Sequence, residues 1–305
     1  MTNPFIDVFD QDPQEMLLNF RSKTFGGTLD DYQRVKTKKK PKGELKLVGQ
    51  RTLYRWSGRA DQPAVIFQSQ KLELDDDGGL DSYHPPTPAH KTGKPPGRDY
   101  LANASSTTKI AYNPNDPEKL INGFPWDHIK NTPWCGIVVN PATQRPYIQG
   151  PADPHPGFYV PRTALGDPSL PENDPKHGVD ASTIPFLVLY KQVAKLGIKQ
   201  GDYAAVLIKE AAGVRVLYAI VADAKGFGHG EGSRALLRDI LSLEPTGSIE
   251  RTDMTFILFP HSAAQPPWRS SYGKEDVQQR ARRLFLRWGG MPEFKAFVDA
   301  MKYML

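Results

Sequence analysis

The chain has 305 residues, 39% of them hydrophobic, which is enough for a sizeable core, while 28 prolines and 26 glycines predict many loops. No run of about 18 apolar residues occurs, which excludes a transmembrane helix. The net charge of +5 favours anionic partners, and the single cysteine, Cys135, excludes an intramolecular disulfide.

The first 49 residues are predicted to be an arm and linker outside the core. Residues 1–12 have neither a basic n-region nor an apolar h-region, so we expect synthesis in the cytoplasm without a classical signal peptide. Residues 13–25 predict a short amphipathic helix. The basic run RVKTKKKPKGELK at 34–46 has no interleaved aromatics, which favours a solvated linker over a nucleic-acid-binding arm.

Strand-like patterns begin at Arg51, with the segments TLYRWSG and AVIFQSQKLEL. The second segment runs into an acidic loop that contains Glu73, Asp75 and Asp77, followed by Gly78. This spacing is similar to that of an oxygen-ligand calcium loop, but position 84, where such a loop needs an acidic ligand, is a histidine. An acidic loop that lines a cleft at a strand end is therefore the favoured interpretation.

Further short strands are predicted along the chain, separated by proline-rich turns. They are CGIVVN, PYIQG and the segments 179–190, 202–208, 214–221 and 254–259. The segments 202–208 and 214–221 form a hairpin-like pair. So many short strands predict a mainly β fold, either a closed barrel or a sandwich.

The stretch from Leu217 to Asp239 contains two acidic residues around a glycine-rich loop. Asp223 follows a β-like run, the loop GFGHG comes next, and Glu231 precedes a helical pattern that starts at Ser233. Enzymes that cleave a glycosidic bond usually use two carboxyl groups that face the same cleft. The alternatives are a solvated Asp with a helix-dipole Glu, and a phosphate-binding loop, which the absence of a Lys-Ser/Thr pair disfavours.

The C-terminal segment, 263–305, is predicted to be helical. Residues 274–288 form an amphipathic pattern with acidic residues in the first turn, and Gly289 follows as a C-cap. A second helix is predicted over 293–305. Its apolar face, with Phe294, Phe297, Val298 and Met301, is expected to pack against the core.

Four blocks, in this order, resemble motifs of the chitosanases of glycoside hydrolase family 75. Glu73 to Gly78 matches D-x-D-C-D-G, and Asp180-Ala181 to Pro185-Phe186 matches D-A-x-x-x-P-F. Tyr218 to Ala224 matches Y-x-x-x-G-D-T, and Gly230 to Ser233 matches G-E-A-S. Asp76 stands where the motif has cysteine, Ala222 and Ala224 where it has Gly and Thr, and Gly232 where it has Ala. The resemblance covers 50–262.

The resemblance implies a glycoside hydrolase β-barrel domain at 50–262, with a double-psi barrel as the suggested type. It implies that Asp223 and Glu231 are the acid–base pair of an inverting hydrolysis that uses no cofactor and no metal. Burial at a strand end favours Asp223 as the acid, because a desolvated carboxyl keeps its proton more readily. The residues predicted to bind substrate are Glu73, Asp75, Asp77, Arg162, Thr163, Asp180, Tyr218 and Ser233.

Three functions remain open from the sequence. The first is a glycosidase that cleaves β-1,4 linkages in chitosan or in the glycan strands of peptidoglycan; the positive net charge favours peptidoglycan. Without a signal peptide, such an enzyme would act as an antibacterial effector exported by a specialised secretion system, with the secretion apparatus and an immunity protein as partners. The second is a non-catalytic glycan-binding module, and the third is a nucleic-acid-binding protein that uses the basic arm.

Overall fold

The structure is a computed structural model, in which residues 7–9, 32–35, 53–56, 62–85, 97–104, 134–143, 145–211, 213–224, 230–263 and 267–302 are described. Contacts divide the chain into two compact units. The first consists of residues 1–74, 185–266 and 272–305, and the second of 75–184 and 267–271. The segment 50–262, predicted as one domain, thus contributes to both units. The helix predicted over 13–25 lies outside the described residues.

The described part of the first unit contains nine strands and four helices. The strands are β1 (Asp7–Phe9), β2 (Tyr32–Val35), β3 (Leu53–Trp56), β4 (Ala64–Asp75), β5 (Phe186–Leu189), β6 (Tyr203–Glu210), β7 (Gly213–Ala224), β8 (Glu231–Ser233) and β9 (Ile249–Phe259). The helices are α1 (Lys191–Ala194), α2 (Arg234–Leu241), α3 (Lys274–Trp288) and α4 (Gly290–Lys302). None of these helices is long and apolar enough to cross a lipid bilayer.

Six of the strands close into a barrel, which confirms the predicted closed β-barrel. Their order is β4-β8-β5-β7-β6-β9, and β9 returns to pair with β4. Alternate residues of these strands point inward into one apolar cluster that includes Val65, Leu187, Val206, Leu217 and Phe256. The double-psi connectivity stays a prediction.

The N-terminal segment supplies strands to this sheet. β1 pairs antiparallel with β7, where Val8 lies opposite Arg215, and β2 pairs with β3. β3 in turn pairs with β4, opposite residues Ala64 to Ile66. The first 49 residues, predicted as an arm outside the core, therefore include two strands of the sheet, because β4 and β7 are longer than their partners in the barrel.

The two C-terminal helices belong to the same unit as the barrel. Phe285 of α3 contacts Tyr218 of β7, and Trp288 contacts Phe259 of β9. Trp56 of β3 packs edge-on against Phe297 of α4, and its indole N–H donates to Glu293 Oε1 at 2.6 Å. These contacts confirm the predicted packing of the tail against the core.

The second unit has little regular structure among its described residues. The segments CGIVVN and PYIQG, predicted as strands, form isolated bridges, in which Val139 pairs with Pro146 and Ile137 with Pro161. Proline lacks the N–H that a longer ladder needs. Likewise only Phe186–Leu189 of the strand predicted at 179–190 is a strand, since the amides of Thr183 and Ile184 donate to the carbonyl of Asp180 in a turn.

Candidate functional site

Asp223 lies near the end of β7, at an irregularity in its pairing with β5. Leu187 lies opposite Val221, but Val188 lies opposite Asp223, so Ala222 is an additional residue in the ladder. Leu187 and Val221 both belong to the apolar cluster inside the barrel. Regular alternation would send Asp223 inward after Val221, whereas the bulge brings it into line with Val188, on the outer face of the sheet.

Glu231 is the first residue of β8, the strand on the other side of β5. Gly232 lies opposite Leu187 in an antiparallel pair, which puts Glu231 beside Val188. A Cβ at Gly232 would meet Leu236 Cδ2 at 3.0 Å, and Leu236 belongs to the inner cluster. Gly232 therefore faces inward, and Glu231, its neighbour, faces outward.

Asp223 and Glu231 thus flank Val188 on the same face of the sheet. Neighbouring strands are about 4.8 Å apart, so the backbones of the two acidic residues, two strands apart, are separated by roughly 10 Å. Asp223 is 8% exposed, and Glu231 is half-buried. This spacing suits a pair of carboxyl groups with a water molecule and a sugar ring between them.

Glu73 lies on β4, the strand beyond β8, and its backbone N–H donates to the carbonyl of Gly230 at 2.9 Å. Leu74, the next residue, packs against the inner cluster, so Glu73 faces outward. Its carboxylate forms an ion pair with Lys71 at 2.6 Å and accepts a hydrogen bond from Ser248 Oγ. The hydrogen bond and the charge of Glu73 raise the pKa of Lys71, so a cation balances this third carboxylate.

Ser233 and Tyr218, predicted to bind substrate, are fully buried. Ser233 is the N-cap of α2, where its Oγ accepts from the N–H of Leu236 at 3.2 Å and from the N–H of Phe186 at 2.9 Å. Tyr218 packs under α3. Neither side chain offers surface to a polymer, so both support the site from within.

The far end of α2 is fixed by Arg215 of β7. Its guanidinium donates to the carbonyls of Asp239 at 2.7 Å and Ile240 at 2.5 Å, and it forms an ion pair with Glu210 at 2.7 Å. A cation at the helix C-terminus also interacts favourably with the negative end of the helix dipole. Because α2 follows β8 directly, this clamp helps to fix the strand that carries Glu231.

The acidic loop after β4 belongs to the second unit. Asp75 Oδ1 accepts from the N–H of Asp77 at 2.8 Å, and the Asp77 carboxylate accepts from the hydroxyl of Tyr83. Burial, followed by the charge of Asp77, raises the pKa of Tyr83, so this phenol stays a donor. Gly136 packs directly against the loop: a Cβ there would lie 2.1 Å from Asp77 Oδ1, so the Asp77 side chain would have to shift.

The side chain of His84 does not support the calcium-loop alternative. Its ring N–H donates to the carbonyl of Pro85 at 2.7 Å, and the ring packs edge-on against Phe158 at 4.8 Å. The glycine of the motif, Gly78, has φ +81°, and a Cβ there would lie 2.1 Å from the carbonyl oxygen of Val179. The loop therefore needs glycine at this position for its own packing.

Three further predicted substrate-binding residues lie in the second unit. Thr163 is buried; its hydroxyl donates to the carbonyl of Leu165 at 2.7 Å and accepts from the N–H of Val179 at 2.9 Å. Asp180 accepts from Ser182 N–H and Thr183 Oγ1, both at 2.9 Å. The side chain of Arg162 is exposed. The grouping of Asp75 and Asp77 with Asp223 in one cleft stays a prediction.

A cavity of about 20 Å³ lies under the site, lined by Phe67, Leu187, Val221, Gly230 and Glu231 among others. A cavity of this size holds one water molecule and no sugar ring. This cavity is therefore too small to be the binding site of a sugar unit.

No family model matches the chain, and no curated protein matches it either. The membership of glycoside hydrolase family 75 thus stays a prediction that rests on the sequence motifs alone.

Sequence reasoning missed the bulge at Ala222, the register with Val188 and the ion pair between Lys71 and Glu73. An alternating pattern can be identified in the sequence, but the sequence of one strand does not show at which residue its pairing with another strand will contain a bulge. The lysine two residues before Glu73 was the one signal available, since residues i and i+2 of a strand share a face.

Proposed function

We propose that the chain is a glycoside hydrolase that cleaves β-1,4 linkages in an amino-sugar polymer by an inverting acid–base mechanism. The observation that carries the proposal is the alignment of Asp223 and Glu231 on either side of Val188, with roughly 10 Å between their backbones. An inverting pair needs its carboxyl groups about 6.5–9.5 Å apart, which side chains that lean toward each other from this spacing can reach.

In this mechanism Asp223 is the acid and Glu231 is the base. Asp223 is the more buried of the two, and a desolvated carboxyl is better suited to hold a proton and give it to the glycosidic oxygen. Glu231, with more access to solvent, takes a proton from the water that attacks the anomeric carbon from the opposite side of the ring. The bond to the leaving sugar breaks as the bond to water forms, and the configuration inverts.

Within the amino-sugar polymers, we favour the glycan strand of peptidoglycan over chitosan. Chitosan is a polycation, and a chain with a net charge of +5 repels it. Delivery by a specialised secretion system, with an immunity protein that protects the producing cell, belongs to the same proposal.

The decisive experiment is mass spectrometry of the soluble products after incubation with purified peptidoglycan sacculi and, separately, with chitosan. We expect β-1,4-cleaved oligosaccharides from sacculi, with proton NMR detecting the α anomer first. Products from chitosan alone would identify chitosan, and not peptidoglycan, as the substrate. Retention of configuration would exclude the inverting mechanism. Binding to either polymer without any product would identify a glycan-binding module instead.

The roles of the two carboxylates are tested by Asp223→Asn and Glu231→Gln. Each should keep the melting temperature of the parent while the rate falls by about 10²–10⁴-fold. Glu172→Gln, which alters an exposed carboxylate of the second unit, is the matched control and should keep full activity. Near-normal turnover by Asp223→Asn would show that Asp223 is not a catalytic residue.

A further inference from the structure

The outward side of α3 is an unusually basic surface. Its buried side, Val277, Ala281, Phe285 and Trp288, packs into the first unit. The opposite side carries Gln279, Arg282, Arg283, Leu286 and Arg287, which we call the arginine face. The acidic residues of α3, Glu275 and Asp276, lie in its first turn, so the last two turns carry positive charge alone.

Arg283 and Arg287 are both exposed and lie one helical turn apart, about 6 Å along the axis. Neither forms an ion pair with another described residue. Arg280, by contrast, stacks on the ring of Tyr272 at 4.4 Å and is not part of the face. Like charges at this spacing destabilise a helix slightly, so the stability of α3 does not explain why the two arginines are paired.

We propose that the arginine face binds an anionic polysaccharide, a linear polymer with repeated carboxylate groups. Guanidinium groups match carboxylates in a planar, bidentate geometry, and a row of them one turn apart can follow a linear polyanion. The face extends over about 12 Å from Gln279 to Arg287, enough for more than one charged group of such a polymer. This binding does not depend on the proposed hydrolysis.

Two other anionic partners fit the face less well. A helix that binds in a membrane interface buries a whole apolar side in the lipid, but the apolar side of α3 is used inside the protein, which leaves Leu286, 47% exposed, as the large apolar residue of the face. Proteins that bind single-stranded nucleic acids offer aromatic rings for base stacking, and the outward residues of α3 include none.

The test uses the full chain and fluorescently labelled polygalacturonate, with binding followed by anisotropy at several salt concentrations. We expect Arg283→Glu with Arg287→Glu to weaken binding by about tenfold or more and to lower the salt dependence by roughly the two counterions that these residues release. Replacement of both by lysine should keep the salt dependence, since the charge remains, and should weaken binding less than the charge reversal does, since only the bidentate contacts are lost.

The control is the charge reversal of Lys195 and Lys199, two exposed lysines that are four residues apart in the sequence and follow α1 on the first unit. It changes the net charge equally and should leave binding close to that of the parent. Equal losses in the two reversed variants would reduce the effect to net charge and overturn the proposal. Tighter binding to single-stranded DNA, or binding to phosphatidylglycerol vesicles alone, would overturn it as well.

Discussion

Asp223 reaches the outer face of the barrel because β7 has one residue more than β5 across their pairing. Without the bulge at Ala222, a carboxylate would follow Val221 into the apolar cluster, where its charge could not be solvated. A bulge that re-aims one side chain is a common device beside functional sites. At the scale of single residues, the candidate site depends on this local departure from regular pairing.

Ser233 helps to fix the position of Glu231 through two hydrogen bonds to neighbouring elements. Its hydroxyl satisfies the N–H of Leu236 in the first turn of α2 and the N–H of Phe186 at the start of β5. We expect Ser233→Ala to lower the free energy of unfolding by about 1–3 kcal/mol, because the cap is lost and a buried donor is left unsatisfied.

Urea denaturation measures this effect, with the exposed Ser271→Ala as the control that should stay within about 0.5 kcal/mol of the parent. If the two alanine variants unfolded at the same urea concentration, Ser233 would not be the structural cap described above.

At the scale of elements, Asp167 connects two segments of the second unit that are distant in the sequence. Its carboxylate accepts from Ser169 N–H and Oγ, from Ser270 N–H at 2.8 Å and from Arg269 at 3.2 Å. Burial alone would raise the pKa of Asp167, but the hydrogen bonds from Ser169 and Ser270 outweigh it and hold the pKa well below its usual range.

A carboxyl with a lowered pKa stabilises the folded state at every pH above its unfolded pKa, about 4, and this contribution is lost as the pH falls below that value toward the folded pKa. We expect the melting temperature to fall as the pH drops below about 4, the unfolded pKa of the carboxyl. Asp167→Asn should be less stable at pH 7 and lose less on acidification.

Thermal unfolding followed by circular dichroism at several pH values tests this expectation. Glu172→Gln, which alters an exposed carboxylate, should keep the pH profile of the parent. A profile for Asp167→Asn as steep as that of the parent would contradict the proposed linkage.

At the scale of the whole molecule, the first unit is discontinuous in sequence. The chain leaves it after Leu74, returns at Pro185, and completes it with α3 and α4. The aromatic side chains of these helices, Phe285, Trp288, Phe294 and Phe297, are fully buried. The C-terminal helices are thus part of the core that supports the candidate site, and Trp56 of β3 connects them to the beginning of the chain.

We expect a chain that stops after Gly273 to lose cooperative unfolding. Burial of four large aromatic side chains contributes roughly 8–12 kcal/mol, at about 2–3 kcal/mol each, which is comparable with the roughly 5–15 kcal/mol of net stability of most proteins. The single change Trp288→Ala should cost about 3–5 kcal/mol and leave a folded, measurable protein. A sharp thermal transition for the truncated chain would show that the helices are accessory.

The sequence by itself determined the kinds of element and many of their positions. Runs of apolar and β-branched residues predicted β4, β6, β7 and β9, and the helix predicted at 274–288 with its Gly289 cap matches α3. These predictions succeed because strand and helix periodicities, turn residues and caps act between residues that are close in the chain. The acidic residues of the candidate site were predicted from their place around a glycine-rich loop and from the resemblance to a family, and their catalytic role stays a prediction.

Only the tertiary structure decided how these elements combine. The three-residue strand β8 exists because β5 and β4 are there to pair with it, and no local pattern predicts so short a strand. Likewise, the outward direction of Asp223 follows from the register between β5 and β7, and the role of Ser233 from an amide that is 47 residues away. Pairing between distant strands is set by the packing of the whole barrel, because a shift of one residue moves every side chain of a strand to the other face.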